Sequence, residues 1–155
     1  MADKKRKPKK TPKPPAKRPP ILVVDDTGMV RQTLMRILKL GQYDTLEAGN
    51  AEEAVRMVAA HELSLILMDI NMPGVDGITL TRKLKATEKA GKVPIIICSA
   101  MHEKSFVVSA LQAGACDYIV KPFEAPVVLQ KVARALERRK APARPAAPAS
   151  AAETE

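Results

Sequence analysis

The strongest constraint on the fold is a recurring arrangement of short runs of branched aliphatic residues, each closing on a polar side chain, with helical periodicity between them. Ile21-Leu22-Val23-Val24 leads into Asp25-Asp26, Leu63 to Met68 into Asp69, Pro94 to Cys98 into Ser99, and Asp117 to Val120 into Lys121. Such runs are too short for helices. Being continuously apolar rather than alternating, they predict strands buried on both faces, as in a parallel sheet covered by helices. A weaker strand is expected around Tyr43 to Ala48.

The intervening segments have helical spacing. Val30, Leu34, Ile37 and Leu38 form a stripe that stops at Gly41, the expected C′ residue. Asn50 offers an N-cap with Glu53 three residues on, a variant of the capping box, opening a helix with Ala54, Val55 and Val58 inward. Asn71-Met72-Pro73-Gly74 and Asp76-Gly77 are turn signals before a helix carrying Ile78, Leu80 and Leu84. Val107, Ala110 and Leu111 mark one face of the next helix, closed by Gly114. A last helix, about Ala125 to Arg139, places Val128, Val132, Ala135 and Leu136 inward. Five strands alternating with five helices predict an α/β fold around a parallel sheet.

Charge separates this folded part from its flanks. The 155 residues carry +9, but nine basic groups against Asp3 give residues 1–20 a net +8 and leave the rest with +1. The basic balance therefore belongs to an arm and not to the site chemistry. That arm also holds six of the 13 prolines, with no aromatic or branched aliphatic residue. It reads as disordered and polyproline-prone, and residues 140–155, rich in Ala and Pro, read as a second disordered tail. The folded unit is expected over residues 21–139, one domain and too small for a receptor or multidomain enzyme. No run approaches ~18 apolar residues and the N-terminus lacks a secretory pattern, so a cytoplasmic location without a transmembrane segment is expected. Cys98 and Cys116 read as core thiols, and His61 and His102 as solvated.

In open parallel sheets, ligands bind outside the carboxyl ends of the strands. Asp25, Asp26, Asp69, Ser99 and Lys121 would then meet at one edge. Crowded carboxylates repel, and a hard oxygen-seeking cation relieves them; Mg²⁺ typically takes one or two carboxylates and keeps several waters. Such a site suits magnesium and a phosphoryl group. Alone, Asp25-Asp26 would be a turn and helix cap, and Tyr118 a core aromatic. The company of Asp69 and Lys121 favours a site.

These residues resemble the response-regulator receiver domains of the CheY type over about Ile21 to Arg139. The matching motifs are Asp25-Asp26, Asp69-Ile70-Asn71-Met72-Pro73-Gly74, Ser99-Ala100 and Tyr118-Ile119-Val120-Lys121-Pro122-Phe123. The resemblance implies a flavodoxin-like doubly wound sheet of order 2-1-3-4-5. It implies that Asp69 accepts a phosphoryl group from a sensor histidine kinase, and that Asp26, Asp69 and the main-chain carbonyl of Asn71 ligate Mg²⁺, with Asp25 acting mainly through bound water. It also implies that Lys121 and Ser99 assist the transfer, and that Ser99 and Tyr118 switch the face made by the fourth helix, fifth strand and fifth helix, Tyr118 turning inward. Met101, two residues after Ser99, occupies a position that tunes dephosphorylation in the family.

Two function classes follow. The first is a stand-alone two-component signalling switch, as in chemotaxis, whose phosphorylated face docks a downstream protein and which catalyses nothing beyond its own Mg²⁺-dependent phosphorylation and dephosphorylation. The alternative is a receiver recruited to DNA or another polyanion by its basic arm, which could give weak, salt-sensitive binding. The absence of arm aromatics for base stacking favours the first.

Overall fold

The computed structural model describes residues 18–140. Its elements in chain order are β1 (Ile21–Val24), α1 (Gly28–Leu40), β2 (Thr45–Ala48), α2 (Ala51–Ala60), β3 (Leu65–Asp69), α3 (Gly77–Lys85), α4 (Glu88–Gly91), β4 (Ile95–Ser99), α5 (Lys104–Gln112), β5 (Asp117–Val120) and α6 (Ala125–Lys140). All strand pairings are parallel and the order is β2-β1-β3-β4-β5, the expected 2-1-3-4-5. Residues 1–17 and 141–155, where most of both expected tails fall, lie outside the described residues.

Each strand points alternate side chains into one of two apolar layers. Ile21, Val23, Leu65, Leu67, Ile96, Cys98 and Ile119 pack with Leu34 and Leu38 of α1 and Val128 and Val132 of α6. Leu22, Val24, Ile66, Met68, Ile95 and Ile97 pack with Val58 of α2, Leu80 and Leu84 of α3 and Ala110 of α5. Helices on both faces bury the central strands completely, which is why their sequences are unbroken apolar runs.

Among the described residues the helix count is six rather than five. The extra helix, α4, is a single turn capped by the Thr87 hydroxyl, which accepts from the Ala90 N–H at 3.1 Å, and it buries Ala90. Four residues carry no measurable periodicity, so the expected fourth and fifth helices are α5 and α6. Two residues expected inside are exposed: Val55, because Ala51, Ala54, Met57 and Val58 carry the inward stripe of α2, and Leu111, because Phe106, Val107 and Ala110 carry that of α5.

Gly41 also differs from expectation. It ends α1 at φ −91°, and the left-handed residue is Gln42 at φ 66°. Glycine is needed at 41 for space, since a Cβ there would approach the Tyr43 ring at 2.8 Å and Leu129 at 2.9 Å. Asn50 does cap α2, accepting from Glu53 N–H at 2.8 Å, but Glu53 reaches back to the N–H of Gly49 rather than of Asn50. No helix among the described residues is long and apolar enough to cross a membrane.

Candidate functional site

Sheet register assembles the site. Val24 pairs with Met68, so the residues that follow, Asp25 and Asp69, emerge side by side. Asp69 pairs with Cys98 and Ser99 with Val120, which brings Ser99 and Lys121 to the same edge. Carboxylate oxygens of Asp25, Asp26 and Asp69 all lie within 4.8 Å of one another. Asp25 and Asp69 are buried and Asp26 is exposed.

Buried charge must be paired or it destabilises the fold. Lys121 supplies the partner, its Nζ donating to Asp25 Oδ2 at 3.0 Å and to Asp69 Oδ1 at 3.3 Å. Asp25 is held further by Thr27 N–H, which donates to its Oδ1 at 2.9 Å. One ammonium facing three carboxylates leaves net negative charge. Burial, with the charge of Asp25 adding to it, raises Asp69 to about 6 against an opposing pull from Lys121. For Lys121 burial acts with the opposite sign and alone would lower it, but the hydrogen bond to Asp25 and the charges of Asp69 and Asp25 hold it above the usual lysine value.

The loop after β3 is tight. Gly74 adopts φ +87°, Asp76 caps α3 by accepting from Thr79 N–H at 2.8 Å, and Gly77 N–H donates to the Ile70 carbonyl at 2.8 Å. A Cβ on Gly77 would stand 1.9 Å from the carbonyl oxygen of Asp69. Glycine here therefore lets α3 start directly against the strand that presents Asp69. Asn71 sits exposed in this loop, two residues beyond Asp69.

Ser99 is fully buried, its Oγ accepting from Met101 N–H at 3.1 Å, while its carbonyl accepts from Lys121 N–H at 2.9 Å. Tyr118 lies on β5 with its ring inside the apolar layer and its hydroxyl donating to the Met101 carbonyl. Burial raises its phenol pKa. The Tyr118 ring is thus turned inward. Asp25, Asp26, Asp69, Ser99 and Lys121 are brought together as expected, and Tyr118 joins them through the Met101 loop. Sequence reasoning missed the tight approach of Gly77, marked only by the Asp76-Gly77 turn pair, and Arg31, which was hidden on the polar side of an amphipathic helix.

An open parallel sheet of order 2-1-3-4-5 with an acidic triad and a lysine at the strand ends is a doubly wound fold of the flavodoxin type with a charged cluster at one sheet edge. The chain belongs to the response regulator receiver domain family, whose model matches residues 21–133. It is 41% identical over 117 residues to the chemotaxis protein CheY of Bacillus subtilis, covering 75% of this chain and 96% of that protein. It is 38% identical over 118 residues to the phosphate regulon transcriptional regulatory protein PhoB of Pseudomonas aeruginosa, covering 76% of this chain and 52% of that one. Among solved structures, a CheY-like receiver domain protein from Methanospirillum hungatei matches with a TM-score of 0.72 at 27% identity, over 77% of this chain and 94% of that one. The receiver domain of NtrX from Brucella abortus matches with a TM-score of 0.71 at 32% identity, over 76% and 98%. The protein is a response regulator receiver domain of a two-component system, a signalling switch and not a conventional enzyme.

Proposed function

We propose that this receiver accepts a phosphoryl group on Asp69 from a phosphohistidine of a sensor kinase and docks a downstream protein through the face formed by α5, β5 and α6. The observation that carries this reading is the convergence of three carboxylates within 4.8 Å beside the Lys121 ammonium. In the transfer, a carboxylate oxygen of Asp69 forms the new O–P bond as the N–P bond of the donor breaks, and the imidazole leaves with its electron pair and takes up a proton. Lys121 is placed to offset charge on the phosphoryl oxygens, and the Ser99 hydroxyl to donate to one of them.

The hard oxygen donors of Asp25, Asp26 and Asp69 fit a small divalent cation. Asp26, Asp69 and the Asn71 carbonyl would hold Mg²⁺, with Asp25 acting through water, and the bound ion would neutralise charge on the transferring group. Recruitment of Ser99 would pull the Met101 loop, whose carbonyl holds Tyr118, and so bias the output face. That face carries exposed Val108, Leu111 and Val120, a surface suited to docking a protein. A cytoplasmic setting is part of this reading. Of the alternative, recruitment to a polyanion through the basic arm, residues 1–17 lie outside the described residues, and nothing in the fold or the relatives favours it over docking.

Incubating the protein with acetyl phosphate and Mg²⁺ should add one phosphoryl mass, measured by intact-mass spectrometry. Excess chelator or Asp69→Asn should abolish it; label persisting in that variant would defeat the assignment.

A further inference from the structure

Asp25 has its N–H, both carboxylate oxygens and its carbonyl all engaged, and the carbonyl is engaged by Arg31. The N–H donates to the Ala48 carbonyl at 3.1 Å, and the carboxylate accepts from Thr27 and Lys121. Arg31 Nη1 donates to the Asp25 carbonyl at 2.7 Å, while its Nε donates to Glu47 Oε1 at 2.6 Å. The guanidinium therefore straps the loop after β1 to β2. Its seat is close to Gly49, where a Cβ would lie 3.2 Å from Nη1, while one on Gly28 would make ordinary contact with Nη2 at 3.6 Å.

The carbonyl that Arg31 holds belongs to the peptide joining Asp25 to Asp26. Asp26 is exposed, and its side-chain contact is a long one, 3.5 Å from the Thr27 hydroxyl. The plane of that peptide therefore sets where the Asp26 Cα–Cβ bond points, and with it the region its carboxylate can reach. Mg²⁺ demands near-octahedral geometry at about 2.0–2.1 Å, so a modest rotation of the peptide takes Asp26 out of reach. We infer that Arg31 is a positioning residue of the acidic site, acting through the Asp25-Asp26 peptide to set the affinity for Mg²⁺. The inference rests on reading the acidic edge as a metal site.

Electrostatics and positioning make opposite predictions, which gives the test its sign. Arg31 is a cation near a cation site, neutralised by Glu47; deleting it would free a carboxylate and, by charge alone, tighten Mg²⁺ binding. Loss of positioning would weaken it, and outer-shell partners of metal ligands typically contribute about 10- to 100-fold in affinity.

The experiment is calorimetric titration of the full chain with MgCl₂, with circular dichroism to establish folding. Arg31→Met should bind Mg²⁺ about 10-fold more weakly than wild type. Glu47→Gln, whose amide oxygen still accepts from Nε, should weaken binding less. Arg31→Lys keeps the charge but cannot span both acceptors, so it too should bind more weakly, and it carries the test if Arg31→Met does not fold. Folded Arg31 variants that bind Mg²⁺ as tightly as wild type, or more tightly, overturn the positioning role and leave the metal site standing. A wild-type protein that binds no Mg²⁺ defeats the metal site itself, and the inference with it.

Discussion

Lys121 and Asp25, 96 positions apart in the chain, meet at 3.0 Å, and the same ammonium reaches Asp69 at 3.3 Å. One lysine thus holds two buried carboxylates of neighbouring strands together. Removing it as Lys121→Met would leave both uncompensated, a loss on the order of 2 kcal/mol given that the lysine is one-fifth exposed. Urea denaturation in chelator should show that loss, and saturating Mg²⁺ should recover much of it, since the cation replaces the missing charge.

If the acidic cluster is the proposed metal site, magnesium should raise the melting temperature of the wild-type protein, because it would bind the native cluster and not the unfolded chain. Asp26→Asn should lose most of that response while being at least as stable as wild type without metal, since like-charge repulsion is relieved. Thermal melts with and without MgCl₂ check this. Equal stabilisation of variant and wild type would show that Asp26 does not ligate.

Acidity gives a prediction with a definite sign. Burial first and the charge of Asp25 second raise Asp69 to about 6 in the folded protein, against 3.8 as its ordinary value. Between these two values the native state holds a proton that the unfolded chain releases. In chelator, stability should therefore fall as pH rises from about 4 through 6, by at most about 3 kcal/mol. Asp69→Asn should remove this component of the pH dependence, measured by urea melts across that window. Magnesium binding should conversely weaken as pH drops below about 6, because the proton and the metal compete for one carboxylate.

Gly77→Ala tests the tight turn behind the site. The added methyl would collide with the Asp69 carbonyl at 1.9 Å, a backbone contact that no rotamer can relieve. Overpacking of this kind costs about 3 kcal/mol or more. Melting temperature and acetyl phosphate labelling should fall together, because any relaxation moves the strand end carrying Asp69.

What could be read without coordinates was whatever depends on near neighbours in sequence. The runs Ile21 to Val24 and Pro94 to Cys98 read as strands, being mostly branched, apolar and short. The polar residue closing each run marked Asp25, Asp26, Asp69, Ser99 and Lys121 as an edge, and Asn50 and Glu53 announced a helix start that the structure contains. Strand order was legible only through family resemblance. Local pattern failed where helices were short or narrow, so α4 was missed and Val55 and Leu111 were placed inside.

Tertiary structure alone decided which of two adjacent aspartates is buried, that the Tyr118 ring lies inward against the Met101 loop, that Gly77 touches Asp69, and that Arg31 straps Asp25 to Glu47. The reason is physical. Strand and helix periods are set by steric contacts between residues two to four apart, which any sequence displays openly. Which charge finds which partner depends on strand register and loop direction, where a one-residue slip in a strand would turn its side chains to the opposite face and dissolve the site.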